Sequence, residues 1–180
     1  NFIPRKQSGL LDIPDIIFGN QQVLHSPKNK SISAYKEHFK KRRSYLLRNG
    51  CFFSPLTIDR NMYFVFPDTL DTDLVESFAD DICELASELT GIEINPIIES
   101  YGKYREMINS LIKQDPSTVI FIFDKHEASA YYTIRHELKN WDIKRVTSHE
   151  LKRKFKQKAS RNRWESFVEL NTFDVLQQLG

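Results

Sequence analysis

The stretch Ala130-Tyr131-Tyr132-Thr133-Ile134-Arg135-His136-Glu137-Leu138 places an aromatic ring and a guanidinium four residues apart. On a helix, Tyr131 and Arg135 stand one turn apart and share a face. An aromatic ring can stack on a nucleobase, which contributes roughly 1–3 kcal/mol. A cation beside it can take the adjoining phosphate, at roughly 1.5–3 kcal/mol per charge-assisted hydrogen bond. A helix N-terminus adds its own attraction for anions. The competing reading has Tyr131 or Tyr132 in the core and Arg135 merely on the surface; spacing alone leaves both open.

Other chemistries have less to stand on. No glycine-rich phosphate loop follows any strand-like segment, and no Gly-x-Ser-x-Gly or Cys/His constellation occurs. Asp124, after the apolar run Thr118–Phe123, resembles a carboxylate active-site position, but its commoner role is to cap the next loop or helix. The chain therefore reads as a binding module and not as an enzyme. Cys51, in a hydrophobic strand-like stretch, and Cys83, on a helix-like face, read as buried thiols, which points weakly to a cytoplasmic location. The histidines (His25, His38, His126, His136, His149) show no metal-ligand spacing with the cysteines.

Charge supports an anionic ligand. The net charge of +2 is an average over segregated blocks. Asp71 to Glu99 holds nine acids and no Lys or Arg, whereas Lys144 to Arg163 holds nine bases against the single acid Glu150. Lys36 to Arg48 is a second basic run. The basic blocks suit phosphates, the alternative being solvated helix faces. No apolar run reaches the roughly 18–20 residues of a membrane span, so no membrane partner is expected.

The elements that must position these residues follow from periodicity. Residues 1–60 look irregular, with a basic helix from Ser33 to Asn49 ended by Asn49-Gly50, and read as an arm or linker packed on the domain formed by 61–180. In that domain Met62–Phe66 is a strand, and Leu74, Phe78, Ile82, Leu85 and Leu89 mark a helix over 71–90 stopped by Gly91. Ile92 to Ile98 reads as a strand, with Pro96 suggesting an edge position or an early end. Tyr101 to Gln114 is a helix with Tyr104, Ile108, Leu111 and Ile112 on one side. Thr118–Phe123 is apolar throughout, as a strand covered on both faces must be. A helix over Ala128–Asn140, a strand over Ile143–Thr147 and helices over Ser148–Phe155 and Glu165–Leu179 complete the series. This alternation predicts an α/β domain, Rossmann-like, with a small parallel sheet of about four strands flanked by helices. Ligands in such folds bind at the carboxyl ends of the strands, here around Asp124 and the loop Lys125-His126-Glu127.

The order of these pieces, with Tyr131-Tyr132-Thr133-Ile134-Arg135, then Asp142-Ile143-Lys144-Arg145-Val146, then a last helix ending Val175-Leu176-Gln177-Gln178-Leu179-Gly180, resembles the MID domain of the Argonaute/Piwi family. Pro14-Asp15-Ile16-Ile17-Phe18-Gly19-Asn20 is similar to the segment that precedes that domain in prokaryotic members. The start at Asn1, without Met or a signal-peptide pattern, fits an excised fragment or a processed product. The resemblance spans roughly residues 10–180. It implies a module that anchors the 5′ end of a small guide RNA or DNA, joined to a PIWI domain or a partner subunit, with any nuclease site in that PIWI domain. The alternative it leaves is a scaffold domain with little nucleic-acid binding of its own.

Carried over by position, Tyr131 matches the family's stacking Tyr and Arg135 its Lys. The family's Gln falls on Val146, or on Arg145 with a shorter turn. The Lys of the last helix falls near Asp174, and a further basic position near Gln178. Three accounts of the carboxylate are open: the Lys156–Arg163 run supplies cations from elsewhere, Asp174 holds Mg2+ or Mn2+ at the guide 5′ end, or the pocket takes a 5′-hydroxyl. The expected contacts are Tyr131, Arg135, Arg145, Lys152, Lys154, Lys158 and Arg161 along the strand, and Lys125, His126 and Glu127 for first-base preference.

Overall fold

The computed structural model describes residues 14–29, 31–52, 60–116, 118–124, 128–138, 142–158 and 161–179. It divides into two compact units, Asn1–Ser54 and Pro55–Gly180, a few residues before the division at residue 60 read from the sequence.

The first unit is more regular than its sequence suggests. Strand β1 (Ile16–Ile17) pairs antiparallel with β2 (Val23–Leu24), with Ile16 opposite Leu24 and Ile17 opposite Val23. A tight turn through Gly19–Gln21 joins them, with Asn20 and Gln21 at positive φ. Helix α1 (Ile32–Asn49) starts at Ser31, whose hydroxyl accepts from the Ala34 amide, and stops at Gly50, φ 68°. Gly19 donates to the Gly50 carbonyl at 3.0 Å, and a Cβ on Gly19 would lie 1.8 Å from the Asn49 carbonyl oxygen. Only glycine allows that approach. Phe18 packs its ring 5.6 Å from that of Tyr45, which fixes the β1–β2 turn against α1. Asp15 accepts from the Ser26 amide and from His25, and these bonds hold its carboxyl below the usual carboxylate range. Cys51 belongs to no strand: it follows the Gly50 stop, where the chain has no ladder partner among the described residues.

The second unit is the expected α/β domain. Its elements are β3 (Asn61–Pro67), α2 (Thr72–Thr90), β4 (Asn95–Tyr101), α3 (Tyr104–Gln114), β5 (Thr118–Phe123), α4 (Ala128–Glu137), β6 (Asp142–Thr147), α5 (Ser148–Phe155) and α6 (Arg161–Leu179). All four strands are parallel, in the order β4-β3-β5-β6. Asp71 caps α2 by accepting from the Asp73 amide, and Gly91 ends it in the left-handed region. Pro96 sits in β4, an edge strand, where a missing amide is tolerated.

Alternation along the strands separates two cores. Tyr63, Val65, Val119, Phe121, Phe123 and Ile143 face Met107, Ile108 and Leu111 of α3, Ile134 of α4 and Leu138 just after it. On the other face, Phe64 meets Phe78 of α2 with ring centroids 6.2 Å apart, and Phe78 stacks on Phe167 of α6 at 5.3 Å. Each such buried ring stabilises the fold by roughly 1.5–3 kcal/mol.

Several boundaries differ from expectation, among them the end of α4, which stops at Glu137 and not Asn140. β4 starts at Asn95, not Ile92, because side chains at the end of α2 take the amides that a ladder would use. Thr90 Oγ1 accepts from the Ile92 amide and Ser87 Oγ from the Ile94 amide. β4 also runs on through Tyr101, so α3 begins at Tyr104. Its buried stripe is Met107, Ile108 and Leu111, while Ile112 in the last turn is 50% exposed. α6 begins at Arg161 and takes in part of the basic stretch that was expected to separate it from α5.

Candidate nucleic-acid interface

The chain leaves β3 for β4 on one side of the sheet and then crosses to β5 on the other. The crevice of such a sheet lies outside the carboxyl ends of the two strands where the order reverses. Here those ends are Pro67-Asp68 and Phe123-Asp124. The expected base-specificity loop, Lys125, His126 and Glu127, lies outside the described residues. α4 starts directly after it, which puts its first turn at this end of the sheet.

Asp124 accepts a hydrogen bond from the hydroxyl of Ser148. The residue after β5 is thereby tied to the first residue of α5, and Ser148 is buried. No loop separates β6 from α5: Thr147 ends the strand and caps the helix, accepting from the Glu150 amide at 3.2 Å. The Asp124 carboxylate thus fastens two elements at the carboxyl edge.

Ile134 of α4 and Leu138, just past its end, face the core, and Arg135 is exposed. Tyr131 stands on the first turns of α4; its side chain is outside the described residues. Tyr132 is 70% exposed, so it is not the core tyrosine. On β6, Ile143 and Val146 are buried while Arg145 is exposed and pairs across the ladder with Phe121. Of the two positions that matched a polar contact, only Arg145 can present a polar group to a ligand.

Lys144 points to the other face of the sheet, where its Nζ donates to Asp174 Oδ2 on α6. The two side chains are 20% and 41% exposed. Asp174 therefore carries its own countercharge. Among the described residues no group of three or more His, Cys, Asp and Glu could hold a metal ion.

The remaining cations divide. Lys152 and Arg153 of α5 are exposed, while Leu151 between the strand and them is buried. Lys154 lies over the Phe167 ring, 5.9 Å from its centroid. Lys158 is turned onto α2 and α6: it donates to Ser77 Oγ, stands 3.6 Å from Asp81 and lies 5.3 Å from the Trp164 ring centroid. Arg161 is the first residue of α6, with its side chain outside the described residues. Arg135, Arg145, Lys152 and Arg153 thus follow one another along consecutive elements, α4, β6 and α5, whereas Lys158 belongs to a different surface.

Neither thiol is activated. Burial, with help from Asp80, pushes the Cys83 thiol up to about 12, and burial raises Cys51 as well. No helix among the described residues is long and apolar enough to cross a membrane.

Sequence reasoning missed the Lys144–Asp174 pair, whose members are 30 positions apart with no periodic signal joining them. It also missed a groove between α2 and α6, lined by Asp81, Glu84, Glu88, Glu165 and Glu169. The base-free block Asp71–Glu99 was the available signal for one wall of it. No protein-family model matches the chain, and no match to it is found among curated proteins.

Proposed function

We propose that this chain is a guide-anchoring module of the Argonaute MID type, which binds the 5′ end of a small RNA or DNA strand in the cytoplasm and works beside a PIWI domain or a partner subunit. The observation that carries the reading is the position of α4. Its first turn, with Tyr131, stands at the carboxyl end of the central strand β5, where an open parallel sheet takes its ligand, and the exposed Arg135 follows one turn on, in the helix's last turn. Tyr131 stacks on the terminal base and Arg135 holds its phosphate. Arg145 and Lys152 follow along the backbone, and the loop of Lys125, His126 and Glu127 sets the preference for the first base. The module performs no chemistry itself.

A second reading is a scaffold domain with little intrinsic nucleic-acid binding. The Lys144–Asp174 pair favours it, because a carboxylate occupies the position at which the family resemblance wants a cation, and the nearest lysine is already engaged. Titrating the 180-residue chain with short oligonucleotides bearing a 5′-phosphate or a 5′-hydroxyl, with and without Mg2+ or Mn2+, separates the two. The anchoring reading expects affinity that depends on the 5′ group and falls steeply with salt. Absence of binding at low salt, or binding indifferent to the 5′ end, supports the scaffold. A gain in affinity with the metal ions would assign them to the guide end.

A further inference from the structure

We propose that α1 carries a docking face for an acidic amphipathic helix of a partner protein. The face belongs to the first unit alone, and the proposal does not rest on the guide reading.

Side chains on α1 repeat at the interval of a heptad. His38 and Tyr45 make the inward row: His38 is buried, and the Tyr45 ring packs against Phe18. Ile32, Phe39 and Leu46 make a second row at the same interval, and consecutive positions such as 38 and 39 are turned about 100° from one another on a helix. This second row looks outward. Ile32 is 68% exposed and Phe39 70%. With Tyr35 they line a depression of about 450 Å3, flanked by Lys36 and Lys40. Single exposed apolar side chains are ordinary. Two large ones that stand two turns apart on one depression make a continuous apolar stripe, and such a stripe marks a site of interaction.

Spacing and charge together name the occupant. An apolar row with a heptad interval stays in register with another helix, whose side chains enter it as knobs into holes. Tyr35 stands three residues after Ile32, where the second position of such a seam falls. Lys36 and Arg43 stand beside the seam, at positions whose charges select the partner of a coiled coil. The helix carries Lys36, Lys40, Lys41, Arg42, Arg43 and Arg48 against the single acid Glu37, and Glu37 is paired with Lys41 at 2.8 Å. Asp or Glu must therefore flank the apolar stripe of the partner. A second copy of α1 is disfavoured, because its own cations would face these across the seam. A nucleic acid would answer the charge and leave Ile32 and Phe39 uncovered.

The test titrates the full chain into fluorescein-labelled helical peptides of three heptads, about 21 residues each, and reads anisotropy. One peptide carries Leu at the seam positions and Glu beside them; a second replaces Glu by Lys; a third replaces Leu by Ser. The Glu/Leu peptide is expected to bind, the Lys/Leu peptide not to bind, and the Glu/Ser peptide to bind at least about tenfold more weakly. Ile32→Ser with Phe39→Ser, and separately Lys36→Glu with Lys40→Glu, should each cost the Glu/Leu peptide at least about tenfold. All four residues are exposed, so the melting temperature stays at the parent's. Lys113→Glu, at an exposed position of α3, is the control and leaves affinity unchanged. The proposal is overturned if the Glu/Leu peptide does not bind, or binds the parent and either double variant equally. A loss in Lys113→Glu as large as that in Lys36→Glu with Lys40→Glu overturns it too, since general charge would then be the cause. Phosphatidylserine vesicles and a single-stranded oligonucleotide are titrated alongside. Binding to either that needs Ile32 and Phe39, without binding of the Glu/Leu peptide, gives the face to that ligand instead. Self-association in sedimentation that is lost in Ile32→Ser with Phe39→Ser gives it to a second copy, which also overturns the proposal.

Discussion

Lys144 of β6 donates an ammonium hydrogen to the carboxylate of Asp174 on α6, and this bond pairs the two charges with each other. Val146, two residues on from Lys144, is buried on the same face, so the lysine stem runs along apolar surface before its head reaches the acid. Neither charge is left over for a ligand while the pair is closed.

Neutralising the acid releases the lysine. Asp174→Asn is expected to raise the affinity of the chain for a 5′-phosphorylated oligonucleotide by about tenfold, the equivalent of one charge-assisted hydrogen bond of roughly 1.5 kcal/mol. Affinity for the 5′-hydroxyl form should not change. A titration of both oligonucleotides against parent and variant decides it; equal gains for the two ends would mean that Lys144 meets the backbone generally and not the terminal phosphate.

Gly19 gives a sharper structural test. Its Cβ position lies 1.8 Å from a backbone oxygen, which cannot swing away as a side chain could. Gly19→Ala is expected to cost about 2 kcal/mol or more, with the loss local to the β1–β2 turn and the end of α1. Gly91→Ala meets open space and suffers only from its φ of +71°, so about 1 kcal/mol is expected there. Hydrogen exchange separates the cases: Gly19→Ala should speed exchange of the Gly50 amide, which donates to Leu46, and leave the amides of β5 protected.

Much of this fold was legible because strand burial writes itself as composition. Val119–Phe123 is apolar at every position, and the structure buries every residue of Thr118–Phe123. The helix over 71–90 declared itself through a single apolar stripe and a glycine stop. Ile92 and Ile94 misled, since Ile94 is buried without belonging to a strand, and side-chain oxygens of Ser87 and Thr90 take the amides of both residues. The site was less legible. Sequence spacing can put Tyr131 and Arg135 on one helix, but it cannot report that Lys158 turns to Asp81, a contact across 77 positions of chain (158 less 81). Charge runs look continuous in sequence; β alternation sends Lys144 and its neighbour Arg145 to opposite faces of the sheet.

The buried thiol of Cys83 makes stability sensitive to alkali. Its ionisation is moved up from an ordinary 9.0 to about 12 by burial, so the fold favours the neutral thiol. Below pH 9 both states carry the proton and nothing is lost. Above pH 9 the unfolded chain ionises and the fold does not, so stability falls by about 1.4 kcal/mol per pH unit from this group until pH approaches its folded value. Lysines and tyrosines also titrate there, so the quantity to measure is the difference between parent and Cys83→Ala in urea midpoint at pH 8 and pH 10. The parent should lose more. In the native state at pH 8, iodoacetamide should leave Cys83 unmodified, and 6 M guanidinium, about enough to unfold most domains, should expose it.

Tyr131 and Arg135 are expected to act on binding in different ways. Tyr131→Ala should cost roughly 1–3 kcal/mol of affinity for a guide-length strand, and Tyr131→Phe should restore most of it, because stacking needs the ring and not the hydroxyl. Removing the first nucleotide's base while keeping its phosphate should mimic Tyr131→Ala in the parent and add nothing in the variant. Arg135→Ala should weaken binding by a similar amount but also lower the salt dependence, by about one unit of slope in log affinity against log salt, since one phosphate contact is lost. Arg135 is exposed, so its melting temperature should stay at the parent's. Isothermal titration at three salt concentrations reads both quantities. If Arg135→Ala leaves the slope unchanged, Arg135 touches no phosphate, and the exposed cations of α5, Lys152 and Arg153, become the residues to remove next.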